Sequence, residues 1–134
     1  LVLVQHVPGY NPNSASFLFV GQRSSVANVF AVPWRESLEF AETLPEARNL
    51  GHVLFVQSTG RCGSTIFVKS LEWLGLCQTV SEPDVLGDIH EMLENDQCSI
   101  QEAISMLRSS ILILVNRMRK IDPQKPIIII KPRS

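Results

Sequence analysis

An apolar run, Val53-Leu54-Phe55-Val56, leads into a polar turn punctuated by Gly60 and Gly63, and Ser64 and Thr65 then open an amphipathic segment. Strand, tight turn, helix is the order such a stretch dictates. The first N–H groups of a helix have no intrahelical partner, so a turn of this kind gathers amide donors where an anion can sit. The stretch therefore predicts a phosphate-binding loop fed by a buried strand, with Phe67, Val68, Leu71 and Leu74 as the inward face of the helix.

Downstream, alternation continues. The helix is expected to stop near Gly75, and Cys77 to Val80 reads as a short strand ending in Ser81-Glu82-Pro83-Asp84. Val85 to Glu94 follows as a helix with Leu86, Ile89 and Leu93 on one face, broken by Asn95-Asp96-Gln97. Ser99 and Glu102 form a capping box that opens the longest helix. Its predicted stripe is Ile100, Ile104, Leu107, Ile111, Leu114 and Met118, with Arg117, Arg119 and Lys120 at the end where cations complement the dipole. Ile127 to Ile130 is β-branched throughout and reads as a strand buried on both faces. Strands alternating with helices from Val53 onward predict an α/β fold, a parallel sheet flanked by helices. Ligands of such sheets sit beyond the carboxyl ends of the strands. That rule gathers the loop from Ser58 to Thr65, the Ser81-to-Asp84 segment and Lys131-Pro132-Arg133-Ser134 at one edge.

Residues 1–50 carry no chemistry of their own. Leu1 to Val4, Phe17 to Val20 and Val29 to Val32 read as short strands, and Ser37 to Arg48 as a helix interrupted at Pro45, with Leu38, Ala41 and Leu44 on one face. They form an N-terminal extension packed on the main sheet, while 51–134 form the loop-bearing α/β part. Trp34 and Trp73 are expected as core anchors.

Over 134 residues the formal net charge is -1, so no global basic field points to nucleic acid, and an anion site has to be local. Three cysteines without CxxC or metal-ligand spacing suggest reduced thiols. The longest apolar runs fall short of a membrane span. The compartment implied is cytoplasmic, or the Golgi if an anchor precedes Leu1. His6, His52 and His90 share no metal-ligand spacing, and no metal is expected.

A nucleotide-hydrolysing loop needs GxxxxGK[ST], but Ser58 stands for the first glycine here and Ser64 for the lysine. The strand at Ile127 to Ile130 ends in Lys131, where an acid would help hold Mg²⁺. ATPase and GTPase chemistry is disfavoured. What is left is an anion cradle to which Arg61 brings the positive charge. Cys62, beside it at a helix start, has the setting of a lowered thiol pKa, yet it lacks a neighbouring His or acid and reads as a small loop filler.

The run Ser58-Thr59-Gly60-Arg61-Cys62-Gly63-Ser64-Thr65 resembles the 5′-phosphosulfate-binding loop of sulfotransferases, closest to the Arg-Ser-Gly-Ser version of the carbohydrate sulfotransferases. Glu82-Pro83 stands where that family ends its next strand in Glu-Pro, and Lys131 with Arg133 resembles a Lys/Arg pair at the end of a later strand. The resemblance spans Val53 to Ser134 and implies the N-terminal part of a P-loop NTPase-like, sulfotransferase-like domain. By it the cofactor is 3′-phosphoadenosine 5′-phosphosulfate (PAPS), and the sulfuryl group goes to an acceptor hydroxyl or amine. Arg61 would neutralise charge on the bridging oxygen. Ser58, Thr59, Gly60, Cys62, Gly63, Ser64 and Thr65 would line the phosphosulfate, and Glu82 is the candidate base. Ile66 replaces the tryptophan that follows the loop in cytosolic sulfotransferases. The family's 3′-phosphate segment after a further strand has no counterpart, which implies a fragment of a longer enzyme or an inactive remnant. The alternatives are a kinase-like P-loop nucleotide-binding protein and a truncated domain serving as an interaction module.

Overall fold

The computed structural model describes residues 2–10, 24–59 and 62–133. β1 (Val2–His6) and β2 (Val26–Ala31) pair antiparallel as a two-stranded sheet of their own, Leu3 opposite Phe30. The strand expected over Phe17 to Val20 lies outside the described residues. α1 (Trp34–Thr43) starts directly after Pro33 and stops before Pro45, and Pro45–Ala47 continues as one 3-10 turn. Proline tolerates a first-turn position but not a helix interior, which accounts for both boundaries.

Then comes the alternating part: β3 (His52–Phe55), α2 (Ser64–Trp73), β4 (Cys77–Ser81), α3 (Asp84–Glu94), α4 (Ile100–Ile121) and β5 (Ile127–Lys131). The three strands form a parallel sheet in the order β3-β5-β4, with Phe55, Ile130 and Val80 in one row. The architecture is mixed α/β, a three-stranded parallel sheet flanked by helices. No helix among the described residues is long and apolar enough to cross a membrane.

β5 shows how the layers are made, because successive side chains of a strand point to opposite faces. Ile128 and Ile130 join Val80, Val115 and Met118 in a core beneath α4, and Ile129 joins Val68 and Cys77 beneath α2. A third cluster, Ile89, Ala103 and Met106 with half-buried Trp34, ties α3 to α4. The capping box at Ser99 and Glu102 is present, each partner bonding the other's backbone N–H.

Several faces turn out differently from the sequence pattern. α4 buries Ala103, Met106, Ser109, Ser110, Leu112, Val115 and Met118, while Ile100 and Ile104 of the expected stripe are exposed. α1 packs on α4 with Ser37 and Ala41 buried, and small residues on the meeting faces let two helices approach closely. The extension thus meets α4 through α1 and pairs its own two strands. On α2 only Val68 is buried and Leu71 half-buried, whereas Phe67 and Leu74 face out; Trp73 is 92% exposed and anchors no core. β3 is not a buried strand either: among the described residues it is an edge strand, with Leu54 and Phe55 about half exposed at 53% and 50%.

Candidate functional site

Parallel register brings the ends of β3, β5 and β4 to one side. Val56 N–H donates to Ile130 C=O at 2.9 Å, Ser81 lies opposite Lys131, and Glu82 N–H donates to Lys131 C=O at 2.7 Å. The loop after β3 and the turn after β4 are therefore laced to the central strand.

α2 begins where Gly63 adopts φ 78°, a left-handed conformation that glycine takes without steric cost. Gly63, as the N-cap, has no side chain to cap this helix, and the first helical bond runs from Phe67 N–H to Gly63 C=O at 3.1 Å. Its opening amides are thus turned to the loop. Ser58 and Ser64 close the loop across its mouth, Oγ to Oγ at 2.9 Å. Thr59, Cys62 and Gly63 are exposed and Thr65 is half-buried, while Gly60 and Arg61 lie outside the described residues. Hydrogen bonding from the Ser64 backbone, helped by the Ser64 and Ser58 hydroxyls, lowers the Cys62 thiol below its ordinary value.

Across the sheet edge, Lys131 ends the central strand at 2% exposure, which no solvated lysine would show. Its Nζ donates to Glu82 Oε1 at 2.7 Å. Glu82 has φ 56°, a left-handed conformation costing a non-glycine residue roughly 1–2 kcal/mol, and this turns its carboxylate back over β5. The two residues that the sequence placed separately at one edge are one ion pair. Lys131 alternates with Ile129 along β5 and so lies on the α2 side, as does Ser81, which alternates with Cys77. Asp84 sits in the first turn of α3 behind Pro83, where an acid complements the dipole.

Ser81 is the residue that motif reading passes over. Its hydroxyl is buried and has no hydrogen-bond partner among the described residues. A buried orphan hydroxyl is costly unless something completes it. In the sequence its only signal is a serine closing an otherwise buried strand. Together the edge offers a helix start whose N-cap is a glycine, two serine hydroxyls, the buried Lys131–Glu82 pair and a Ser81 hydroxyl without a described partner, a donor set suited to an oxyanion.

Comparison with known proteins finds no family model, no curated protein and no solved structure that matches the chain.

Proposed function

We propose that this sheet edge binds the 5′-phosphosulfate end of PAPS and that the protein, of a P-loop, sulfotransferase-like type, transfers the sulfuryl group to an acceptor hydroxyl or amine. The observation that carries the reading is a buried Lys131, paired to Glu82, on the same side of the sheet as the start of α2. A strand order with the last strand in the middle also departs from the sequential order of dinucleotide-binding halves, which argues against a Rossmann-type site.

PAPS supplies an activated sulfuryl group on a phosphate leaving group. The chain's part is to hold and neutralise that phosphate. The Ser64 and Thr65 amides point along the helix dipole toward negative charge, and the Ser58 and Ser64 hydroxyls add donors that either can rotate to supply. Arg61 brings a fixed positive charge from within the loop. Lys131 adds a second, at the end of the central strand. Glu82 is the acceptor's base: an anion that draws Lys131 Nζ toward itself frees carboxylate lone pairs for the incoming hydroxyl proton.

Calorimetric titration with adenosine 3′,5′-bisphosphate and with ATP, with and without Mg²⁺, tests this. The bisphosphate is expected to bind tighter without Mg²⁺. Arg61→Ala and Lys131→Met should each weaken it about tenfold or more, since a hydrogen bond to a charged group is worth roughly 1.5–3 kcal/mol. Tighter, Mg²⁺-dependent binding of ATP overturns the sulfotransferase reading.

A further inference from the structure

Ser81 closes β4 with a hydroxyl that has no hydrogen-bond partner among the described residues, although the residue is only 3% exposed. It lies on the face of β4 that α2 covers, because Thr79, two residues earlier on that face, donates to Glu72 of α2 at 2.8 Å. Glu72 belongs to the last turn of α2, and the helix opens in the loop at the carboxyl ends of the strands. Ser81 is thus displaced from Thr79 toward the end where α2 starts. Across the ladder it is paired with Lys131, and the two side chains share that face.

Gln78 Oε1 and Ser110 Oγ are also buried without a partner among the described residues. Gln78, however, lies on the opposite face of β4, where its Nε2 holds the carbonyls of Asp122 and Lys125, and Ser110 lies in the middle of α4. Neither is at the strand ends. A hydroxyl proton needs an acceptor, whereas the Lys131 ammonium beside Ser81 and the first amides of α2 are donors. The adjacent carboxylate, Glu82, is engaged on Oε1 by Lys131 Nζ at 2.7 Å. We infer that Ser81 is a ligand-binding residue, whose hydroxyl donates to an oxygen of an oxyanion held at the strand ends. That this anion is the 5′-phosphosulfate of PAPS rests on the function proposed above. An unpaired buried hydroxyl is costly in the free protein, so an anion that supplies its acceptor gains that cost back on binding.

The test titrates adenosine 3′,5′-bisphosphate and inorganic pyrophosphate separately into the unmodified chain, Ser81→Ala, Ser110→Ala and Lys131→Met, and measures the urea midpoint of each. Ser81→Ala is expected to bind both anions about tenfold more weakly, as for a lost hydrogen bond to a charged group. Its midpoint should be equal or higher, because the group removed is unpaired in the free protein. Ser110→Ala, which removes an orphan hydroxyl away from the strand ends, should keep both affinities. Unchanged affinities in Ser81→Ala overturn the inference, and a loss of bisphosphate binding in Lys131→Met would then leave the phosphosulfate reading standing. A lowered midpoint with unchanged affinities overturns it too, by showing that the hydroxyl is satisfied within the fold. Weakened pyrophosphate binding in Ser81→Ala, with the bisphosphate bound by no form of the chain, supports Ser81 as an oxyanion donor and removes the phosphosulfate reading. Binding of neither anion overturns both.

Discussion

The two edges of the parallel sheet invert the usual relation between composition and burial. β4 carries Gln78, Thr79 and Ser81, and all of its residues are buried, whereas β3 carries Val53, Leu54 and Phe55 and is half open. The cause is where the helices run. α2 packs on β4 and β5, and two polar side chains of β4 find donor bonds there and after α4: Thr79 Oγ1 donates to Glu72 at 2.8 Å, and Gln78 Nε2 to the carbonyls of Asp122 and Lys125 at 2.9 and 3.1 Å. No described element crosses the outer side of β3. The covered edge holds the fixed half of the candidate site, Ser81 and Glu82, and the open edge feeds its loop. One side is a rigid floor and the other an accessible mouth.

The largest effect should come from the clamp beneath the approach to β3. The buried Glu46 carboxylate accepts from Asn116 at 2.9 Å and from Arg119 at 3.2 Å, and Arg119 also donates to Leu50 C=O at 2.6 Å. Glu46→Ala leaves Arg119 without its counter-ion and is expected to cost ~3 kcal/mol in urea denaturation. Burial alone would raise the Glu46 carboxyl, but hydrogen bonds from Asn116 and Arg119 outweigh it and hold the group below its ordinary 4.5. A depressed folded pKa contributes stability above the unfolded value and loses it as pH falls through the folded one. The unmodified protein should thus lose more stability on acidification below pH 4.5 than Glu46→Gln does.

A matched pair of truncations sharpens the contrast between the edges. Val80→Ala on β4 should cost about 2 kcal/mol, because a fully buried side chain is cut. Leu54→Ala on β3, a larger truncation, should cost less than about 1 kcal/mol in dilute protein. Equal losses would mean that β3 is covered in solution. Gly63→Ala meets no atom of the described residues within 4 Å, so its expected cost of roughly 1–2 kcal/mol is that of a left-handed alanine, and anion binding should fall with it. Thr79→Val should cost ~1 kcal/mol, since Glu72 keeps its 2.8 Å bond from Lys69.

How much of this the sequence discloses depends on whether the signal is local. The Ile127 to Ile130 run, the Ser99/Glu102 capping box and the Pro45 break are written in neighbouring residues and appear where periodicity and sterics put them. Strand order is not local, and with it goes the exposure of β3: Val53-Leu54-Phe55-Val56 looks like a central strand because hydrophobicity says nothing about which neighbours arrive. For the same reason Trp73 and Phe67 satisfy a helical period and still face outward, on a helix that is apolar on two sides. The site divides the same way. The glycine turn and the serines at the helix start are legible as a motif, whereas the Lys131–Glu82 pair needs residues 49 positions apart and a left-handed Glu82 that no propensity predicts.

Amide chemical-shift mapping with adenosine 3′,5′-bisphosphate tests the central claim most directly, because it reads the helix start and the strand ends at once. The expected result is that the largest shifts fall on Cys62 to Thr65 and on Ser81, Glu82 and Lys131, and that Lys131→Met needs at least about tenfold more bisphosphate to reach them while the rest of the spectrum is unchanged. Shifts confined to other regions of the molecule, or none at saturating bisphosphate, would contradict it.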